Sequence, residues 1–249
     1  RAKKQFPHVW CPGCGHGVVM GSLIRAIDKL ELNKDNVVMV SGIGCSSRMT
    51  SYVDFNTLHT LHGRPIAYAT GLKLAKPELP VIVITGDGDA IAIGGNHFIH
   101  AARRNIDITV LLYNNYIYGM TGGQMAPTTL PGQVATTCPL GRDVTLAGHP
   151  VRIAELVSTL RTPAFVARGS VHSPMETIRT IRADDVNFPI NLALVRSDTG
   201  FRLSLLAGFN LALFGYHGAW FGSLFISLFY MAWCYREYSL RGHAGPPPA

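Results

Sequence analysis

The stretch GDGDAIAIGGNHFIHAARRNIDITVLLYNN, residues 86–115, decides the fold. It follows a short apolar run, PVIVIT at 80–85, and contains a second one, DITVLLY at 107–113, which ends in two asparagines. Runs of about six residues rich in Val and Ile are typical of strands buried on both faces of a parallel sheet. Residues 91–104 between the two runs have the length and composition of a crossover helix, so the stretch predicts a strand–helix–strand unit.

The same pattern continues in both directions along the chain. NVVMVS at 36–41 is another apolar run, and residues 63–76 have the length and composition of a second crossover helix. Apolar residues at steps of three or four between 18 and 30 predict an amphipathic helix that begins near Gly15. A helix at 151–160 and a strand at 164–170 are predicted downstream. We therefore predict an α/β fold with one doubly wound, mainly parallel sheet.

Three polar, glycine-rich loops follow the ends of the predicted strands: GIGCSSR, GDGD and NNYIYGMTGGQ. Ligands of such sheets bind just beyond the carboxyl ends of the strands. Magnesium takes about six oxygen ligands, commonly a carboxylate and some carbonyls beside phosphate oxygens. Asp87 can give the carboxylate and Asn115 the amide oxygen, while the glycines let backbone NH groups approach a diphosphate. A lone GDG is mostly a turn, but GDG and NN at the ends of two strands predict a magnesium and diphosphate site.

Five segments resemble, in the same order, the thiamine diphosphate-binding β subunit of 2-oxoacid:ferredoxin oxidoreductases, closest to the 2-oxoglutarate type. They are WCPGCGHG, SGIGCSSRM, HTLHGRPIAYATGLKLAKPELPV, the stretch from Gly86 through APTT, and GRDVTLAGHP, and they cover about residues 6–175. The resemblance implies a thiamine diphosphate-binding domain over residues 1–175. It implies that Asp87, Asn115 and the main-chain carbonyl of Ile117 bind magnesium, and that His62 lies near the cofactor. The implied cofactor-binding positions also include Gly44, Gly86, Gly88, Asp89, Gly119, Thr121 and Gly122.

The five cysteines favour a reducing cytoplasm, since an odd number cannot pair completely within the chain. The resemblance implies that Cys11, Cys14 and Cys45 bind a [4Fe-4S] cluster, for which thiolates are suitable ligands. A zinc site would normally show a second Cys-x-x-Cys unit, and none follows. The family's fourth cysteine lies in a Cys-Pro motif near position 200, but no cysteine lies between Cys138 and Cys234. The fourth ligand is therefore missing, and cluster binding is in doubt.

Arg48 closes the loop GIGCSSR, where its guanidinium could pair with a substrate carboxylate or remain an ordinary surface arginine. The resemblance implies oxidative decarboxylation of a 2-oxoacid, first of all 2-oxoglutarate, with coenzyme A, giving acyl-CoA, carbon dioxide and reduced ferredoxin. Only one doubly wound unit is predicted, so an α subunit would complete the active site as in a heterodimer. Two alternatives stay open: a non-oxidative thiamine diphosphate enzyme, and an inactive or membrane-tethered subunit.

The rest of the chain departs from these patterns. The net charge of +7 comes with no nucleic-acid-binding motif. From about residue 175 the resemblance ends, and the family's helix, strand and Cys-Pro segment are expected to be absent. Residues 203–235 include no Lys, Arg, Asp or Glu, which makes them a candidate membrane span, although Asn210 and His217 weaken that interpretation. We therefore treat residues 176–249 as an atypical segment: a frameshift product, a membrane or partner-binding appendage, or an unusual or poorly ordered part of the core.

Overall fold

The computed structural model describes residues 6–160, 165–183 and 191–196. Its main sheet has six strands: β1 (Val38–Ser41), β2 (Asn56–His59), β3 (Val81–Gly86), β4 (Thr109–Asn114), β7 (Phe165–Ser170) and β8 (Asn191–Arg196). They lie in the order β2-β1-β3-β4-β8-β7, and all neighbours are parallel. Two short strands, β5 (Ile117–Tyr118) and β6 (Gln124–Met125), form a separate antiparallel pair. The prediction of a mainly parallel sheet is confirmed.

Helices cover both faces of this sheet. They are α1 (His16–Lys29), α2 (Pro65–Ala75), α3 (Gly95–Arg103), α4 (Val144–Ala147), α5 (Ile153–Ser158) and α6 (Pro174–Ala183), with a 3-10 turn at Ser46–Ser51. Side chains of α1 and α6 pack into one apolar cluster with Met39 and Leu111, whereas α2, α3 and α5 pack into a second one with Val40 and Leu112. Because neighbouring strand residues point to opposite faces, continuous apolar runs serve both clusters.

The strand order reverses between β1 and β3, because the chain runs outward from β1 to β2 and returns on the other side of β1. Such a reversal opens a crevice at the carboxyl edge of the sheet, where ligands of doubly wound folds bind. The loops after β1, β3 and β4 all leave this edge. The topology therefore brings together the three glycine-rich loops that the sequence predicted to meet.

Two features of this part differ from the prediction. The edge strand β2 was not predicted, because its sequence NTLH is short and mostly exposed and so lacks a continuous apolar run. The predicted helix at 91–104 is divided into a π-helical turn at Gly88–Ile93 and the helix α3. A hydrogen bond from the Gly94 amide to the Asp89 carbonyl, 2.9 Å, closes the wider turn, and the adjacent Gly95 starts the new helix.

The sheet also continues beyond the residue where the resemblance ends. The expectation that a helix and a strand are absent there was wrong, since α6 packs on α1 and β8 pairs with both β4 and β7. The run LALVR in β8 is apolar and suited to a central parallel strand. The boundary at 175 stays a prediction, and the apolar stretch 203–235 with Cys234 lies outside the described residues. Within the described ranges, no helix is both long and apolar enough to cross a membrane.

Candidate active site

A pocket opens at the carboxyl edge of β1, β3 and β4. The predicted site residues in its wall are Gly44, Cys45, His62, Gly86, Asp87, Gly88, Asp89, Asn115, Ile117, Gly119 and Thr121. The other wall residues are His16, Ile43, Ser46, Tyr113, Tyr118 and Met120. The structure therefore brings together most of the predicted cofactor-binding positions.

Three oxygen-bearing groups converge on one point in this pocket. The amide oxygen position of Asn115 lies 2.8 Å from the carbonyl oxygen of Ile117 and 3.1 Å from Oδ1 of Asp87. With oxygen there, it faces the two other acceptors and accepts only the Ile117 amide, at 3.4 Å; with the amide turned so that nitrogen takes the position, it would donate to both neighbours. A small cation between the three oxygens would remove the repulsion and favour the first orientation. The donor set therefore fits magnesium, which prefers carboxylate, amide and carbonyl oxygens.

The carboxyl group of Asp87 is 2% exposed at the end of β3. Burial raises the pKa of Asp87 to about 6, while the hydroxyl of Thr128, which donates to Oδ2, opposes this rise. A buried carboxylate without a full positive partner is costly. A divalent cation at this position would supply that partner, so the burial of Asp87 is consistent with a metal-binding role.

The glycines of the pocket are needed for different physical reasons. A Cβ atom at Gly88 would lie 2.3 Å from the ring of Tyr118, so this glycine lets the tyrosine cover the loop after β3. Gly119 lies against the thiol of Cys45, at 3.2 Å from an added Cβ. Gly44 has a φ of +119° and open space around it. Gly44 is thus the position at which backbone NH groups remain most accessible to an anionic ligand.

Asp89 and His62 form a buried network rather than two separate ligands. Oδ1 of Asp89 lies 2.5 Å from Nδ1 of His62 and accepts the Gly63 amide at 2.6 Å, while Oδ2 accepts the Thr85 hydroxyl at 2.7 Å. The carboxylate thereby ties the start of α2 to the end of β3. Because its oxygens are already used, we expect the diphosphate to contact the main chain of Asp89, and His62 to present its other ring nitrogen to the pocket.

The three predicted cluster cysteines lie on two adjacent segments, and only Cys45 lies in the pocket wall. Cys45 lies in the pocket wall, and its carbonyl accepts a 2.6 Å hydrogen bond from the indole of Trp10, next to Cys11 in the chain. Burial raises the pKa of Cys45 to about 12, followed by the charges of Cys11 and Cys14. Across the described ranges, no group of three or more His, Cys, Asp or Glu side chains could hold a metal ion as placed. The [4Fe-4S] cluster therefore stays a prediction.

Four predicted residues lie outside the pocket wall as far as the described residues show: Arg48, Gly122, Cys11 and Cys14. Arg48 is exposed on the 3-10 turn Ser46–Ser51, and its amide contacts the Cys45 carbonyl at 3.4 Å. Gly122 closes a turn onto the Gly119 carbonyl at 3.2 Å. Arg48 thus follows the wall residues Cys45 and Ser46 in the chain but is not itself part of the pocket wall.

Sequence reasoning missed several residues of the site, and two of them, His16 and Thr128, make specific contacts there. His16 is 3% exposed, and its ring stacks on Tyr113 at 5.3 Å between centroids. Burial lowers the pKa of His16 to about 4, so the ring is neutral near pH 7. Its place directly after the CPGC unit was the available signal. Thr128 was also missed, because nothing in the spacing of APTT indicates that its hydroxyl reaches Asp87.

Comparison with known proteins gives the family of this chain. The family described as "Thiamine pyrophosphate enzyme, C-terminal TPP binding domain" matches residues 42–184. A solved structure, 2-oxoglutarate:ferredoxin oxidoreductase from Magnetococcus marinus with 2-oxoglutarate, coenzyme A and succinyl-CoA bound, matches with a TM-score of 0.73 and 34% identity. The match covers 85% of this chain and 73% of that one. This chain belongs to the thiamine pyrophosphate-binding β subunits of the 2-oxoacid:ferredoxin oxidoreductases.

Two curated members of this family are especially similar. The 2-oxoglutarate synthase subunit KorB of Methanothermobacter thermautotrophicus is 50% identical over 180 residues, which are 72% of this chain and 61% of the relative. KorB of Archaeoglobus fulgidus is 53% identical over 171 residues, or 69% of this chain and 62% of the relative. The chain thus spans about three fifths of the length of these curated relatives.

Proposed function

We propose that this chain is the β subunit of a 2-oxoglutarate:ferredoxin oxidoreductase, which converts its 2-oxoacid and coenzyme A to acyl-CoA, carbon dioxide and reduced ferredoxin. The observation that carries the proposal is the convergence of Asp87, Asn115 and the Ile117 carbonyl in a glycine-lined pocket. These three groups would hold magnesium, and the loops around Gly44 and Gly119 would hold the diphosphate. When bound, thiamine diphosphate supplies the carbanion chemistry that decarboxylation of a 2-oxoacid requires.

The position of Cys45 favours the oxidative reaction over a non-oxidative one. Its side chain lies in the pocket wall and also beside the segment of Cys11 and Cys14. A cluster on these thiols would lie directly next to the cofactor and could take electrons one at a time. A decarboxylase without an electron acceptor has no use for thiols in this place. The relatives named as 2-oxoglutarate synthase subunits support the same choice.

The substrate proposal rests on those names and on the charge at the rim. The pocket holds two carboxylates. That of Asp87 would bind the cation, and that of Asp89 accepts hydrogen bonds from the protein itself. Arg48 is the exposed cation on the loop that also carries Gly44 and Cys45. We propose that it pairs with the distal carboxylate of 2-oxoglutarate.

The chain is proposed to act together with an α subunit, since the described residues form one doubly wound unit that supplies one side of the pocket. The test is to co-express the full chain with the α subunit and to measure ferredoxin reduction that depends on 2-oxoglutarate, coenzyme A and thiamine diphosphate. We expect activity in the complex and none in the chain alone. Turnover by the purified chain alone would contradict the proposal of a partner subunit. A complex that converts no 2-oxoacid would contradict the proposed function.

A further inference from the structure

The two carboxylate oxygens of Asp87 have different partners. Oδ1 faces the amide of Asn115 at 3.1 Å and hence the proposed cation position. Oδ2 instead accepts a hydrogen bond from the hydroxyl of Thr128. Both side chains are 2% exposed, so water does not compete for this contact. A cation beside Oδ1 therefore finds the second oxygen of this carboxylate already engaged in a hydrogen bond.

Thr128 is held in place by a buried arginine. Nη1 of Arg142 donates to the carbonyl oxygens of Ala126 at 3.2 Å, Pro127 at 3.0 Å and Thr129 at 2.8 Å, the residues on both sides of Thr128. Arg142 is 6% exposed. A guanidinium is planar and carries five NH donors in a fixed fork, so several simultaneous contacts restrict its position strongly. The loop that carries Thr128 is consequently held by three of its carbonyl groups, two before the threonine and one after it.

The other side of the same guanidinium is held as well. Its Nε donates to the carbonyl of Gly148 at 3.0 Å and its Nη2 to that of Ala147 at 3.1 Å, at the end of α4. Arg142 thus connects α4 to the loop 126–129. The segment GRDVTLAGHP therefore positions the loop 126–129, although none of its residues lies in the pocket wall.

The loop 126–129 also fixes the turn that carries the other two oxygens. The Thr129 hydroxyl donates to the carbonyl of Tyr116 and accepts the Ala126 amide at 2.8 Å. Tyr116 has a φ of +64°, a left-handed conformation that is unfavourable for a non-glycine residue. This turn places the Asn115 side chain and the Ile117 carbonyl on the same side. One buried loop therefore orients all three oxygen-bearing groups.

We infer that Thr128 restricts Asp87 to binding a metal through one oxygen and so sets the preference of this site for magnesium over calcium, with Arg142 as its positioning residue. The inference rests on the proposed magnesium site. Magnesium demands a tight octahedron, which single oxygens supply, whereas calcium accepts more ligands and often binds both oxygens of a carboxylate. With Oδ2 already accepting a hydrogen bond from a hydroxyl, the two-oxygen mode is disfavoured.

The test measures metal binding rather than turnover. Calorimetry on the full chain with saturating thiamine diphosphate gives the affinities for Mg²⁺ and Ca²⁺ separately. In Thr128→Val, which keeps the shape and removes the hydroxyl, we expect the ratio of Mg²⁺ to Ca²⁺ affinity to fall by about tenfold or more, as for other residues that orient metal ligands. Thr128→Ser keeps a hydroxyl and should retain the native ratio. An unchanged ratio in folded Thr128→Val would overturn the inference.

Two further variants keep the experiment decisive. Thr137→Val is the control, because the exposed Thr137 hydroxyl likewise makes a hydrogen bond, accepting the Met125 amide at 2.9 Å, but does not bond to Asp87. Its ratio should stay native, and an equal fall there would overturn the specific role of Thr128. If Thr128→Val does not fold, Arg142→Lys serves instead: it keeps the charge, loses the fork and should lower the ratio, and an unchanged ratio overturns the inference. A native complex with the α subunit that binds neither metal with the cofactor contradicts the proposed function itself.

Discussion

The Asp87 carboxyl illustrates how a single residue can be unfavourable for folding and useful for binding. Burial raises the pKa of Asp87 to about 6 from 3.8, with Thr128 opposing this rise. Because the folded-state pKa lies above the unfolded-state value, ionisation of this group opposes folding. The penalty is absent below about pH 4, grows as the pH rises to about 6, and is complete above that. Magnesium would offset it by binding the ionised form.

Asp87→Asn should therefore stabilise the protein without metal and abolish cofactor binding. At pH 7 we expect the free energy of unfolding to rise by on the order of 2–3 kcal/mol, the equivalent of the pKa shift, as an upper bound. The gain should shrink towards zero near pH 4. Urea unfolding of both proteins at several pH values, in the presence of a chelator, measures this difference. Parallel pH profiles would contradict the assignment, and stabilisation by Mg²⁺ with thiamine diphosphate should remain only in the native chain.

Arg48 is the residue on which the substrate proposal can be tested separately. It is exposed at the rim, so an ion pair with a distal substrate carboxylate would be partly screened and worth about 1 kcal/mol. In the complex with an α subunit, Arg48→Ala should raise the KM for 2-oxoglutarate about fivefold. The KM for 2-oxobutyrate, which has no second carboxylate, should change little. Equal changes for the two substrates would remove Arg48 from substrate recognition.

At the scale of elements, the contact between the start of α2 and the π-helical turn Gly88–Ile93 holds the site together. Gly63 has a φ of +73°, and a Cβ there would lie 2.7 Å from the backbone nitrogen of Gly94 and 2.4 Å from Ile93. Its amide also donates to Asp89. A side chain at this position must push apart the two segments that carry His62 and Asp89.

Gly63→Ala should consequently destabilise the fold by on the order of 2–4 kcal/mol, from strained backbone and overpacking together. Gly71, within α2, is the matched control: it is exposed and an added Cβ meets nothing within 4 Å. Gly71→Ala should stabilise by about 0.5–1 kcal/mol because alanine loses less entropy in a helix. Thermal and chemical unfolding of the two variants would show opposite signs, and equal effects would contradict the packing argument.

The sequence predicted the elements whose apolar pattern is continuous and missed those held by individual contacts. β1, β3 and β4 could be predicted because buried parallel strands need uninterrupted Val and Ile. The edge strand β2 is mostly exposed and therefore does not need a continuous apolar run. The π-helical turn depends on one hydrogen bond, from the Gly94 amide to the Asp89 carbonyl. In the site, the edge of the sheet and the candidate metal ligands Asp87 and Asn115 followed from strand ends, whereas the Ile117 carbonyl came only from the resemblance. The contact of Thr128 with Asp87 joins residues 41 positions apart. Only the folded chain brings that pair together.

At the scale of the whole molecule, the positions of the cysteines decide which of them could bind one cluster together. Cys11 and Cys14 lie before α1 and Cys45 lies after β1, and the hydrogen bond from Trp10 to the Cys45 carbonyl joins the two segments. Cys138 lies in another loop, where its thiol contacts the Gln133 carbonyl at 3.5 Å. The described residues thus place Cys45 beside the segment of Cys11 and Cys14 and place Cys138 in a different loop, and no three of these side chains are grouped for a metal as placed.

We predict that this chain by itself does not hold a stable [4Fe-4S] cluster. Such clusters are normally held by four thiolates, and three leave one iron open to water and to loss. Anaerobic reconstitution of the purified chain should give fewer than four irons per chain, and Cys45→Ser should lower the iron content further while the control Cys138→Ser leaves it unchanged. Iron counting with electron paramagnetic resonance measures both. Four irons per chain with a reducible signal would contradict the prediction, and a Cys234→Ser change that then removes the signal would identify the fourth ligand.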